Sequence, residues 1–268
     1  MNLETRQGEP RLIKILPYLS LVAFFLVWQL LVDTGIVPRV LLATPLEVGK
    51  LFGAKLTQTQ PDGALLWVHT LVSLTEAVLG YILALVIGIP LGLLMGWFVV
   101  AEGLARPLFE MIRPIPPVAW IPLAIFWFGI GLSGKVFIIW ACAVVPCVIN
   151  AYTGVRMTNP TPIQMARTYG ASNWQIFTKI CIPSALPMVF GGLQIALALA
   201  WTTLVAAELI ASDVGLGFLI NMGRRLLRPD MIVLGMIMVG LTGFGIGLLI
   251  DWIEKKLTAG LERGGSAS

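Results

Sequence analysis

The run Leu74-Thr-Glu-Ala-Val-Leu-Gly80-Tyr-Ile-Leu-Ala84-Leu-Val-Ile-Gly88-Ile-Pro-Leu-Gly92-Leu-Leu-Met-Gly96-Trp-Phe-Val-Val100 carries a single charge, at Glu76. A helix crosses about 30 Å of hydrocarbon with roughly 20 mostly apolar residues, and this run is long enough. Small residues recur at every fourth position: Gly80, Ala84, Gly88, Gly92 and Gly96. That spacing makes one smooth ridge where a neighbouring backbone approaches closely. Packing inside one bundle accounts for the ridge, and a sliding or dimerising surface is the alternative. Shorter versions occur at Gly191, Gly192, Ala196 and Ala200, and at Gly243 and Gly247.

Outward from this run, the same pattern repeats. Apolar segments at Leu16–Val32, Val118–Ile130, Val136–Val155, Pro187–Ile210 and Met231–Ile250 bring the expected count to six spans. Val118–Ile130 is short and set among Pro114, Pro116, Pro117 and Pro122, and it reads as a bent helix that begins near Phe109. Of the 268 residues, 57% are hydrophobic and 12% charged, with a mean hydropathy of +0.90. Soluble domains carry about a quarter charged residues, so this chain lacks the polar surface to cover a water-soluble globule. The fold class is therefore an all-α membrane protein: one transmembrane domain over 16–252, flanked by segments 1–15 and 253–268.

The net charge of +4 does not imply nucleic acid, because the cations sit between apolar segments and form no stripe. Basic loops beside spans set orientation instead. Placing both termini in the cytoplasm puts Arg6, Arg11, Lys14, Arg106, Arg113, Arg156, Arg167, Lys179, Lys255, Lys256 and Arg263 inside, and Arg39, Lys50, Lys55, Lys135, Arg224, Arg225 and Arg228 outside. The N-terminus resembles a signal peptide, but its apolar run is long and lacks a small-x-small cleavage pattern, so an uncleaved first span is expected. Cys142, Cys147 and Cys181 lie in or beside apolar segments and read as packing residues; with His69 the one histidine, no metal centre is expected.

Gly129-Ile-Gly-Leu-Ser-Gly134-Lys135 matches the dinucleotide fingerprint and most of a P-loop. It fails the context test for both: Val136 stands where the magnesium-binding hydroxyl belongs, and no strand precedes it. A tight turn between two helices explains these glycines. No catalytic residues are assigned. Glu76 lies far in sequence from Glu208 and Asp213; buried carboxylates in membranes are functional suspects, so Glu76 and Glu208 either line a pathway or pair with a basic residue.

Between spans four and five runs Asn159-Pro-Thr-Pro-Ile-Gln-Met-Ala-Arg-Thr-Tyr-Gly-Ala-Ser-Asn-Trp-Gln-Ile-Phe-Thr-Lys-Ile-Cys-Ile-Pro183. Thr161 is placed to cap a helix with Pro162 at its first position, and Gly170 suits the left-handed residue that closes it. Ser172 and Gln175 form a capping box for a second helix. Trp174, Phe177, Ile180 and Cys181 then recur at helical spacing, and Pro183 is expected to stop it. Two short helices with an exposed apolar face fit a partner's groove; an amphipathic segment lying on the membrane is the alternative.

This loop resembles the cytoplasmic coupling loop of permease subunits in binding-protein-dependent ABC importers, patterned E-A-A-x-x-x-G, nine residues, then I-x-L-P. Gln164-Met165-Ala166, Gly170, Ile180, Ile182 and Pro183 occupy those positions, and Gln164 and Met165 depart from the acidic start. Arg113-Pro-Ile-Pro-Pro-Val-Ala-Trp-Ile-Pro-Leu, Trp127-Phe-Gly-Ile-Gly, Trp201-Thr-Thr-Leu-Val-Ala-Ala-Glu-Leu-Ile and Gly215-Leu-Gly-Phe extend the resemblance to the taurine, alkanesulfonate and nitrate branch, nearest the taurine permeases. The resemblance implies a type I importer permease in a bacterial inner membrane. It would act as a homodimer with two cytoplasmic ATPase subunits that bind ATP and magnesium, and an extracytoplasmic substrate-binding protein. The coupling residues carried over are Gln164, Ala166, Arg167, Gly170, Ala171, Trp174, Phe177, Ile180 and Pro183.

Trp201, Thr202, Thr203 and Glu208, on the span that follows the loop, are candidates for pathway and gate. Arg224, Arg225 and Arg228 form a candidate outer docking cluster, and Pro45–Leu56 reads as an interfacial helix with Val48, Leu51, Phe52 and Leu56 on one face. An ion-coupled secondary transporter or a membrane scaffold is the competing class, although no second copy of the proline-rich span supports an inverted repeat.

Overall fold

The computed structural model describes residues 11–265; residues 1–10 and 266–268, which belong to the expected flanking segments, lie outside the described residues. Helices follow one another as α1 (Arg11–Asp33), α2 (Pro45–Lys55), α3 (Leu66–Trp97), α4 (Val99–Ile112), α5 (Ile121–Phe128), α6 (Leu132–Arg156), α7 (Pro160–Thr168), α8 (Asn173–Ile176), α9 (Ile182–Ile210), α10 (Leu216–Arg225) and α11 (Pro229–Gly265). No strand occurs among the described residues.

Among the described residues, four helical stretches are long and apolar enough to cross a membrane: Leu66–Trp97, Leu132–Arg156, Asn173–Ile210 and Pro229–Ile250. The expected third span is bent, as its prolines suggested, and the bend is a full break between two helices. A 3-10 turn at Pro117–Trp120 leads into an α5 of only eight residues, and the pair α4 and Pro117–Phe128 bends by 89°. Prolines sit at the break: Pro116, ahead of Pro117, is extended (φ −58°, ψ 138°), the geometry a proline favours in the residue before it. The pair counts as a fifth candidate, and the apolar stretch of α1, Tyr18–Asp33, is shorter than the other spans.

Contacts divide the chain into two units, one formed by the chain through Leu66 with Leu219–Ile237, the other by Trp67–Phe218 with the chain from Met238. In the first, Thr44 and Glu47 make a capping box that starts α2, and Trp28 Nε1 donates to the Ala43 carbonyl at 3.0 Å, tying α1 to that start. The inward face of α2 differs from the expected one. Val48, Leu51 and Lys55 are buried while Phe52 and Leu56 are exposed. Lys55 goes inward because Asp62 (2.5 Å) and the Ala64 carbonyl (2.6 Å) accept from its ammonium.

In the second unit the small-residue ridge of α3 lies against α6. A Cβ on Gly80 would sit 2.5 Å from Ile139, one on Gly88 2.8 Å from Cys147, and one on Gly96 2.7 Å from Val155. The intramolecular reading of the ridge is thus the one realised. The core cluster joins Ala77 and Ala84 to Ile139 and Ala143 and to Ala196 and Ala200, so α3, α6 and α9 meet through alanines. Without a hydrophobic drive between helices in lipid, close backbone approach of this kind supplies the packing. Outward faces stay apolar: Leu241, Phe244, Leu248 and Leu249 of α11 are all exposed, a face suited to lipid or protein and not to water. The three cysteines are buried and free.

Candidate coupling site and pathway residues

The segment after α6 is built from local signals. The Asn159 side chain accepts from Thr161 N at 2.9 Å and caps α7 with Pro160 in its first turn. Asn159 therefore takes the capping role expected of Thr161. At the other end Gly170 has φ +77°. Ala171 N donates to Ala166 O and Gly170 N to Arg167 O, both at 3.0 Å, the paired bonds of a Schellman closure. Ser172 and Gln175 form the expected capping box and open α8.

Pro183 does not stop the helix. The chain passes through a π-helical turn, Phe177–Cys181, and Pro183 stands in the first turn of α9, where a missing N–H leaves no bond unmade. The wider turn lets one helical run, Asn173–Ile210, join the surface segment to a span. Single π turns of this kind often mark functional positions.

The apolar face of this segment splits in two. Phe177 is 3% exposed and Trp174 60%. Phe177 turns into the bundle, where Trp97 stacks on it (centroids 6.4 Å apart) and Phe98 meets it edge-on (5.3 Å). Ala166, Ala171 and Ile180 pack partly against the same core. Trp174 covers this knot from outside, 5.5 Å from Phe177 and 6.4 Å from Phe98. What faces outward is Gln164, Met165, Arg167, Tyr169 and Trp174, with Gly170 and Pro183 also exposed. Tyr169, 87% exposed, is a contributor that sequence reasoning missed, since it falls at the helix end and outside the apolar period. Trp97 and Phe98 were missed as the seat because they lie some 80 positions away in the chain.

The four α9 candidates do not share a face. Trp201 and Thr202 line a cleft of about 340 Å³ with Gln194, Gly243 and Gly247. Trp201 Nε1 donates to the Val239 carbonyl at 3.1 Å, and the Thr202 hydroxyl is turned back to Ala198 and Leu199 carbonyls. Thr203 and Glu208 are buried. A larger apolar groove of about 680 Å³, unforeseen from sequence, runs between α3, α4, α5 and α6 past Trp120, Trp127, Phe137 and Trp140, with Arg113 also in its lining.

Glu208 sits in a closed polar cap. Ser73 Oγ donates to Glu208 Oε1 (2.5 Å), Gly217 N donates to Oε2 (2.7 Å), and Leu216 N donates to Ser73 Oγ (2.8 Å). Gly215 N donates to His69 Nδ1 at 3.0 Å. Three consecutive backbone donors at the start of α10 are thereby satisfied by side chains of α3 and α9. Beside them Lys135 pairs with Glu76 and donates to Ser212 Oγ at 3.0 Å. The pairing alternative for Glu76 is the one realised. Gly129 ends α5 and Gly131 opens α6, the turn expected of that glycine run.

In the first unit, Arg224 donates to Asn221 (2.9 Å), and Arg228 forms a two-pronged pair with Asp230 (2.6 and 3.2 Å) that holds its guanidinium above the usual range. Arg225 is exposed.

Residues 88–263 match the family described as binding-protein-dependent transport system inner membrane component. The taurine transport system permease protein TauC of Escherichia coli is 34% identical over 242 residues, covering 89% of this chain and 87% of that protein. The bicarbonate transport system permease protein CmpB of Synechocystis sp. is 32% identical over 249 residues, covering 91% and 89%. Among solved structures, an inward-facing conformation of the MetNI methionine ABC transporter superposes with a TM-score of 0.54 and 20% identity, over 69% of this chain and 97% of that one; this likeness speaks for the fold.

Proposed function

The chain belongs to the binding-protein-dependent transport system inner membrane component family, a permease subunit of ABC importers, and from that premise we propose that it passes taurine or a related sulfonate inward by alternating access at the axis of a homodimer. In this reading 16–252 is one permease domain of six spans, with α1 and the bent pair completing the set, and the segments 1–15 and 253–268 are cytoplasmic. Two ATPase subunits, which bind ATP and magnesium, meet the α7–α8 surface from the cytoplasm. A substrate-binding protein delivers cargo on the opposite side, where Arg224, Arg225 and Arg228 offer cations to acidic partners.

One observation carries the reading: a pair of short, fully capped helices presents Tyr169 and Trp174 outward while Phe177 roots them in the bundle. Burying an exposed aromatic anchor in a pocket is how such a segment transmits force to a partner. Alternating access then follows as rigid-body motion of bundles driven from this lever. The cleft at Trp201 and Thr202 is the proposed pathway surface, and Glu208, locked in its cap, positions α10 instead of meeting cargo.

Bicarbonate is the second reading, supported by the CmpB relatives, whose identity stands close to that of TauC; nitrate or an aromatic or pyrimidine-type solute in the same importer class completes the alternatives. The test is reconstitution in vesicles with a cognate ATPase subunit and a substrate-binding protein. Stimulation of ATP hydrolysis by taurine-loaded binding protein is expected. Stimulation by bicarbonate, nitrate or an aromatic or pyrimidine-type solute alone would move the assignment to that alternative. Failure to recover any ATPase subunit with the purified chain in mild detergent would overturn the importer account.

A further inference from the structure

Two grips hold the corner between α3 and α4, one from within the coupling segment and one from the end of α6 that leads into it. Phe98 is extended (φ −97°, ψ 116°) and breaks the helix there. On one side of it stand Trp174 and Phe177, which follow the segment's glycine. On the other stands an ionic cluster centred on Glu102. Its Oε1 accepts from Tyr152 Oη (2.7 Å) and from Arg106 Nη1 (3.0 Å), and its Oε2 accepts from Arg156 Nη2 (2.5 Å). Arg156 also donates from Nε to Tyr152 Oη (3.3 Å) and lies 5.5 Å over that ring. Arg156 is the last residue of α6, just ahead of the Asn159 cap.

The chemistry of the cluster is that of a fastener. An isolated exposed ion pair contributes little. Here one carboxylate, with a side chain 15% exposed, gathers three donors, two of them cationic, and such charge-assisted bonds fix geometry closely. Its place in the first turn of α4 also favours negative charge. The packing of α3 on α6 nearby, with Gly96 against Val155, does not depend on it. Beyond Glu102, α4 leads to the 89° bend and on to α5, whose Ile121 and Ala124 are buried with Ile138 and Ala207 of α6 and α9.

We propose that Glu102 is a positioning residue of the coupling apparatus: by tying α4 to Arg156 and Tyr152 at the root of the segment, it makes the α3–α4 corner and the bend beyond it move with α7 and α8. This rests on the coupling function proposed above. Displacement of the segment loads both grips together, so the bend receives the motion without any contact of its own to a partner.

The test uses the full importer in vesicles, measuring solute moved per ATP hydrolysed. Glu102→Gln and Tyr152→Phe should leave ATP hydrolysis and recovery of the ATPase subunits in place. The Glu102→Gln ratio should fall by roughly fivefold or more, the lower range of coupling between sites, and that of Tyr152→Phe by less. Exchanging the charges, with Glu102→Arg and Arg156→Glu together, should restore much of the ratio that either change alone removes. An unchanged ratio in Glu102→Gln, beside a wild type that couples, would overturn the inference. So would a loss that tracks a lowered melting temperature and resists charge exchange, since that marks a merely structural bond. A wild type that fails to couple would refute the coupling function itself, and this inference with it.

Discussion

The coupling segment and the polar cap around Glu208 are both held by hydrogen-bonded side chains and both contain glycines, yet they are made in opposite ways. In the segment every cap is local: Asn159 bonds to Thr161, Ser172 to Gln175, and Gly170 closes over Ala166 and Arg167. In the cap the partners come from distant stretches, with Ser73 on Glu208 and His69 on Gly215. Gly170 is needed for its positive φ and has open space around it, whereas a Cβ on Gly217 would lie 2.8 Å from Glu208 Cβ and the Val205 carbonyl. The surface segment closes its helix ends with its own residues and takes only its seat, through Phe177, from the bundle. A buried cap has to satisfy donors that lipid cannot.

The largest effect should come from breaking the cap's ion pair. Lys135→Met leaves the Glu76 carboxylate buried without its counter-ion, at a cost of about 3–5 kcal/mol; adding Glu76→Gln should recover most of it. Unfolding in detergent–lipid micelles measures both, and an unperturbed Lys135→Met would remove the energetic basis of the comparison. A smaller effect is expected from crowding the cap. Gly217→Ala forces carbon into an occupied site for about 1–3 kcal/mol, with no residue that relieves it. Gly170→Ala is the smallest, about 1 kcal/mol for the left-handed backbone. There Gly170→Asn should be milder, because asparagine tolerates that conformation. Equal responses to alanine and asparagine at Gly170 would show that space and not φ governs the site.

The same contrast decides what was legible in the sequence. The Ser172 capping box, the Schellman glycine and four long apolar helices are written in neighbouring residues, so their positions follow from spacing alone. The bend of the third span was legible from its prolines, but its 89° sharpness was not, because an apolar run does not reveal the angle between two helices. Pro183 was misread because a π turn is invisible to a 3.6-residue period. The inward face of α2 was missed at Lys55, whose burial depends on Asp62 and Ala64 folding back over it. At the loop, the glycine and the Ser172 cap placed the two short helices. Only the fold separates Phe177, which anchors, from Trp174, which is presented.

That separation supplies the most direct test of the central claim. A photo-crosslinking amino acid placed at 174 or at 177 in the assembled importer should discriminate the two positions, with solute uptake per ATP measured for Trp174→Ala in the same vesicles. Capture of the ATPase subunit from 174 and not from 177, with Trp174→Ala still hydrolysing ATP but transporting little, is the predicted result. Full coupling in Trp174→Ala together with no capture from 174 would contradict the account.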